Sequence, residues 1–191
     1  MNVADRPAVF HRAGAANTLA VVTTILETER LVLREFVLDD ADFMLAVLND
    51  PDFVRFIGDR GVRTPDDARG YLRGRVLASY EQHGFGMYVA VRKIDQATVG
   101  ICGLVKRDGL EDVDVGYALL PAYRGQGYAR ECAAAVVDLA RLRFGLRRVV
   151  AIVNPANSDS IRLLESLDMT CERAVQLTEA GPELLLYVLA L

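Results

Sequence analysis

Between residues 26 and 191 the hydrophobic positions switch repeatedly between a period of two and a period near ~3.6, the marks of strand and helix. Over residues 28–36, Leu31 and Leu33 alternate with Arg30 and Arg34, which predicts a half-buried strand. Asp39 or Asp40 then caps a helix to about Asn49, with Phe43 and Val47 on its apolar side. Thr64-Pro65-Asp66-Asp67 supplies an N-cap, a first-turn proline and an acidic third position, so a second helix runs to about Gln82 and stops at His83-Gly84. From Phe85 the period returns to two: residues 87–92 and 98–106 flank Ile94-Asp95-Gln96 as an antiparallel hairpin. A strand over 113–120, a polar turn over 121–127 and an Ala-rich helix over 128–144, ended by Gly145, come next. Residues 147–153 form a β-branched buried strand, 154–160 a loop, 161–167 a short amphipathic helix, and 171–177 and 183–190 the last strands. The class is α+β with a mixed sheet.

Residues 26–191 read as a single domain, since no repeat, low-complexity stretch or linker follows residue 25. Residues 1–25 read as a flexible leader. They place Arg6, His11 and Arg12 ahead of an apolar run, as a secretion signal does, but Asn17 and Thr18 interrupt that run. With 52% hydrophobic and 25% charged residues the chain is expected to fold, and no stretch reaches the ~18 apolar residues of a membrane span. The formal charge of −4 and the lack of a basic cluster argue against nucleic acid as a partner. Cys102, Cys132 and Cys171 are odd in number, lack C-x-x-C spacing and lie in apolar runs, so each is expected as a small hydrophobe in a reducing, cytoplasmic setting. No metal site is expected.

The densest chemical signal is the turn Arg124-Gly125-Gln126-Gly127-Tyr128-Ala129 between a strand and a helix. Gly125 and Gly127 remove Cβ atoms where a backbone must approach a ligand, and the first N–H groups of the following helix lack acceptors, an arrangement that suits a pyrophosphate. The spacing is neither G-x-x-x-x-G-K-[ST] nor G-x-G-x-x-G, which disfavours a nucleoside triphosphatase and a dinucleotide site. An ordinary glycine-bearing connection is the plain structural alternative.

With R-x-x-G-x-A at Arg124, Gly127 and Ala129, the chain resembles the GNAT superfamily of acyl-CoA-dependent N-acyltransferases. T-E-R-L-V-L-R-E-F at 28–36, G-F-G at 84–86, V-D-V-G-Y-A-L-L-P at 113–121 and N-P-A-N-S-D-S at 154–160 are similar to its ribosomal-protein N-terminal (alanine/serine) acetyltransferase branch. The resemblance covers about residues 27–191. It implies a mixed, mostly antiparallel sheet flanked by helices and splayed between the strands at 113 and 147, with the pantetheine arm of acetyl-CoA in the gap. The pyrophosphate is then expected on backbone N–H groups of residues 125–130, namely Gly125, Gln126, Gly127, Tyr128 and Ala129, with Arg124 adding charge. Backbone groups of Leu119 and Leu120 are expected to face the pantetheine, and Asn154 and Asn157 to contribute polar contacts.

The same resemblance assigns two catalytic candidates. Ser160 protonates or steadies the departing thiolate, against the alternative that Asn157 or Ser158 merely caps a helix. Asp114 stands where the branch commonly has Glu, and on its strand it shares a face with Asp112 and Gly116; as general base it reaches the amine through a water, and otherwise it is an exposed edge carboxylate. Leu167-Asp168-Met169 replaces the usual L-G-F; aspartate tolerates the left-handed cap required there.

The implied activity is transfer of acetyl from acetyl-CoA to a primary amine by direct attack, with strand N–H groups stabilising the oxyanion. An α-amine titrating near ~7.7–8.0 is partly neutral at cellular pH, whereas a lysine amine near ~10.4 is roughly 99.9% protonated, so a weak water-mediated base favours a peptide N-terminus. The acidic chain suits a cationic acceptor. A small-molecule amine (antibiotic, polyamine or amino-acid derivative) and a non-catalytic acyl-CoA-binding domain are the alternatives. Neither nucleic acid nor a membrane is an expected partner, and a homodimer stays open.

Overall fold

The computed structural model describes residues 8–10, 21–179 and 181–191; the rest of the expected leader lies outside these. Among the described residues one nine-stranded sheet runs in the order β1-β2-β3-β4-β5-β6-β7-β9-β8. Its strands are β1 (Ala8–Phe10), β2 (Val21–Glu27), β3 (Leu31–Arg34), β4 (Met87–Arg92), β5 (Thr98–Val105), β6 (Val113–Leu119), β7 (Arg148–Val153), β8 (Thr170–Val175) and β9 (Leu184–Ala190). Every neighbouring pair is antiparallel except β6 and β7. The α+β class and the mostly antiparallel sheet are as expected.

Two differences concern the N-terminal half. The expected strand at 28–36 is shortened to β3, and another strand precedes it: residues 21–27 already form β2, paired with β3 and, through Val21–Thr23, with β1. The boundary between leader and domain therefore falls inside a strand. Sequence reading also passes over a helix. After α1 (Ala41–Leu48) comes α2 (Pro51–Phe56), capped by Asp50, whose carboxylate accepts the N–H groups of Asp52 and Phe53.

The helix expected over 64–82 is built from α3 (Pro65–Tyr71), a π-turn segment (Leu72–Leu77) and α4 (Ala78–His83). Thr64 and Asp67 form the anticipated capping box, and Gly84 ends the run in the left-handed conformation at φ 75°. α5 (Tyr128–Phe144) and α6 (Ser158–Glu165) complete the set. Asp168 takes φ 62° just after α6, the left-handed position foreseen for it.

Alternation along the strands divides the core between two faces. On β4, Tyr88 and Ala90 pack toward α5, while Val89 and Val91 pack toward α1 and α3. Both faces are covered, so the strand reads as an unbroken apolar run. Leu31 and Leu33 are fully buried on the α5 side, each contributing about 1.5–3 kcal/mol by burial. Gly103 admits no side chain, because a Cβ there would lie 2.1 Å from the Gly86 carbonyl oxygen. Cys102 and Cys132 are buried as expected; Cys171 is exposed on edge strand β8, so the hydrophobe reading does not extend to it.

Candidate active site

Among the described residues the sheet has one parallel pair, and it opens where that pairing ends. β6 and β7 pair at Val113↔Val149 and Asp114↔Val150 and then diverge, although both strands continue for several residues. A cleft of about 1610 Å³, larger than the ~300–1,000 Å³ of an ordinary ligand pocket, extends from this gap toward α2 and the π-turn segment and has room for two substrates. Tyr117, Leu119, Arg124, Gly125, Gly127, Ala129, Asn154, Asn157 and Ser160 all line it.

The turn has the geometry its sequence requires. Gly125 and Gly127 sit at φ 71° and 81°, where L side chains are strained, and a Cβ on Gly127 would come within 3.3 Å of Arg30 Nη2. Gly127 is the N-cap of α5 and supplies no side chain, so the first helical hydrogen bond is from Glu131 N–H to the Gly127 carbonyl. The N–H groups of Tyr128, Ala129 and Arg130 precede that bond and have no acceptor within the helix. An uncapped helix start beside two glycines without Cβ atoms fits the pyrophosphate of an acyl-CoA.

The side chains of this turn are committed elsewhere. Arg124 was expected to add charge near the phosphates; its guanidinium is held by Asp50 and, at 2.5 Å, by Asp52, and its Nε donates to the Leu119 carbonyl at 3.0 Å. Arg124 is thus a strut between the turn and α2, with its charge matched by two carboxylates. Gln126 Nε2 donates to Ala122 O, and the Tyr128 ring is buried beneath Arg30 at 4.5 Å, so both serve the turn through their backbone. Two arginines that sequence reading missed frame it. Arg30 donates to Gln126 O and to Glu131, and Arg130 donates to Ser166 Oγ and O at the end of α6.

Backbone direction separates the two leucines. Leu120 N–H donates to Val99 O on β5 at 3.0 Å and its carbonyl accepts Tyr123 N–H, so Leu120 does not offer these groups to the gap as expected. Alternation then turns the N–H groups of Leu119 and Tyr117 the other way, toward β7. Tyr117 also lines the cleft, although the sequence did not single it out. Its hydroxyl lies 2.8 Å from Ser160 Oγ, and burial, eased by that hydrogen bond, pushes its pKa up to about 12.

Asn157 caps α6 by accepting Ser160 N–H on Oδ1 at 3.1 Å, which leaves its Nδ2 as a donor at the cleft and the Ser160 hydroxyl outside the cap. Asn154 Oδ1 accepts Ala156 N–H. Asp114 is not an exposed edge carboxylate: it is 1% exposed, with Oδ2 at 2.5 Å from Arg107 Nε and Oδ1 accepting Ile152 N–H at 3.2 Å. Burial raises its pKa, against the pull of Arg107 and the Ile152 N–H. Both of its oxygens have partners in the protein.

The acetyltransferase (GNAT) domain model matches residues 30–170. The "uncharacterized N-acetyltransferase p20" of Bacillus licheniformis is 30% identical over 148 residues, covering 77% of this chain and 83% of that protein. Among solved structures, an acetyltransferase from Agrobacterium tumefaciens superposes with a TM-score of 0.76 at 25% identity, over 93% of this chain and 100% of the other. A ribosomal L7/L12 α-N-protein acetyltransferase in complex with coenzyme A shares the fold, with a TM-score of 0.75 at 17% identity over 87% and 97% of the two chains. The gap, the uncapped turn and these matches together make the chain a member of the GNAT family of N-acetyltransferases, which use acetyl-CoA as acyl donor.

Proposed function

We propose that this protein acetylates the α-amine of a peptide N-terminus by direct attack on acetyl-CoA. The supporting observation is the state of the acidic groups in the cleft. Of the six aspartates that line it, five are ion-paired: Asp50 and Asp52 with Arg124, Asp59 with Arg63, Asp114 with Arg107 and Asp159 with Arg162. A lysine or polyamine nitrogen needs a strong base or several open carboxylates. An α-amine near ~7.7–8.0 needs neither, since water accepts its proton at neutral pH. Although the whole chain carries −4, the cleft walls carry eight Lys and Arg side chains against those six acids, a balance unsuited to a polycation.

Acetyl-CoA supplies the activated acetyl thioester. The N–H groups of Tyr128, Ala129 and Arg130 hold the pyrophosphate, and Asn154 and Asn157 border the arm. The N–H groups of Tyr117 and Leu119 on β6 face the gap and stabilise negative charge developing on the acyl oxygen. Ser160, accepting from or donating to the Tyr117 hydroxyl, protonates the departing sulfur; the raised pKa of Tyr117 keeps that hydroxyl protonated. With its oxygens occupied, Asp114 is not required as base.

Turnover with acetyl-CoA and three acceptors tests the reading: peptides with free N-termini, Nα-blocked lysine peptides, and spermidine. Preference for the first by kcat/KM is expected. Equal or better turnover of spermidine would shift the assignment to a small-amine acetyltransferase.

A further inference from the structure

We propose that Asp114 is a positioning residue that holds β6 and β7 apart, and that Arg107 anchors it in that role. The proposal goes beyond the acceptor reading and rests only on acyl-CoA occupying the gap. Extending the β6–β7 register beyond Asp114↔Val150 would set Val115 opposite Ala151 and Gly116 opposite Ile152, yet neither pair forms. Ile152 N–H is the next β7 donor on the side facing β6, because donors alternate along a strand and Val150 already pairs there. Its partner in a continued ladder would be a main-chain carbonyl of β6; instead it donates to the Asp114 carboxylate at 3.2 Å.

A side chain therefore ends the ladder. The substitution satisfies a half-buried N–H without bringing the two backbones together, which is what a cofactor arm between the strands requires. A buried carboxylate in this place needs a counter-charge, and Arg107 Nε supplies it at 2.5 Å from the loop after β5. With an apolar side chain at 114, Ile152 N–H would be orphaned, and continued pairing with β6 would be the nearest remedy. That pairing would close the gap.

The test uses the full chain and CoA as probe, by calorimetric titration, with steady-state kinetics alongside. Asp114→Ala is expected to weaken CoA binding at least tenfold and to raise the KM for acetyl-CoA in proportion, with kcat at saturation changed less than threefold. Asp114→Asn keeps an acceptor for Ile152 N–H and loses the Arg107 bond, so its affinity is expected to lie between Ala and wild type. Arg107→Met, which carries the test if the Ala variant does not fold, is expected to bind CoA severalfold more weakly. Unchanged CoA affinity in Asp114→Ala or in Arg107→Met would overturn the proposal, as would an Asn variant no better than Ala. A fall in kcat with CoA affinity intact would overturn it in favour of proton abstraction by Asp114. Because CoA binding needs no acceptor, failure of the peptide-acceptor reading would leave this result legible.

Discussion

The hydroxyl of Tyr117 on β6 lies 2.8 Å from Ser160 Oγ on α6, so a hydroxyl pair in the cleft ties β6 to the helix that follows β7. A proton donor acting on a leaving sulfur matters as that bond breaks, not in the ground state. Ser160→Ala is therefore expected to lower kcat by about 10²- to 10⁴-fold with little change in the KM for acetyl-CoA, the usual range for general acid catalysis. Tyr117→Phe, which leaves Ser160 without this partner, is expected to lose less. Steady-state kinetics decide; a loss under about threefold in Ser160→Ala would leave Ser160 with only its place in the capped first turn of α6.

The pH dependence follows from the ion pairing of five of the six aspartates that line the cleft. Tyr117, held up at about 12, stays neutral through the working range, so kcat/KM should rise with deprotonation of the acceptor and then level off. Replacing the acceptor with one of lower amine pKa should move the inflection down by the same amount. An inflection that ignores the acceptor would place the controlling group on the enzyme.

Gly127→Val puts a branched side chain at φ 81° and against Arg30 Nη2. The variant is expected to fold but to show no CoA-dependent rise in Tm, whereas wild type at a hundredfold excess over Kd gains about 2.7 kcal/mol. Differential scanning fluorimetry with and without CoA reads this, and an undiminished shift would remove the turn from the cofactor site.

Asp52 is half exposed and draws on the charge of Arg124. Asp52→Asn should return part of that charge to the turn and tighten CoA binding by about two- to fivefold, the scale of one exposed ion pair at ~0.2–1 kcal/mol. Weaker or equal binding would mean that Arg124 does not act on the phosphates.

Stability has its own test in Asp40. Both its oxygens accept from Arg34 at 2.7 Å, Oδ2 also accepts Val37 N–H at 2.9 Å, and the paired side chains are 10% and 11% exposed. Asp40→Ala leaves a buried guanidinium unmatched and is expected to cost about 3–5 kcal/mol in urea denaturation. A loss below about 1 kcal/mol would put the pair in the class of surface bridges.

What could be read in the chain was what is local. The turn at 124–129, the capping box at Thr64 and the left-handed Asp168 each depend on residues a few positions apart, and each has the predicted geometry. α2 carried a legible cap in Asp50-Pro51, but six residues are too few to display a period. The partners of Arg124 lie 72 and 74 residues upstream, and Ser160 is 43 residues from Tyr117, separations across which hydrophobic periodicity carries no information. Asp114 shows the same limit. Its place on the strand was readable, but its burial was set by Arg107 and by a β7 amide that only the folded sheet brings near.

The two-position contact between β6 and β7 also bears on how the molecule opens. Antiparallel pairing joins β7, β9 and β8 along most of their length, so these strands form a coherent slab, linked through the sheet to the rest only at Val113–Asp114. Beyond that corner the slab leans on side-chain packing in the shared core rather than on ladder hydrogen bonds to β6. Its amides should then exchange with solvent as one cooperative unit, at a lower opening free energy than β4 and β5. An acyl-CoA threaded between β6 and β7 would act as a removable rivet, slowing exchange on both sides of the seam until product departs.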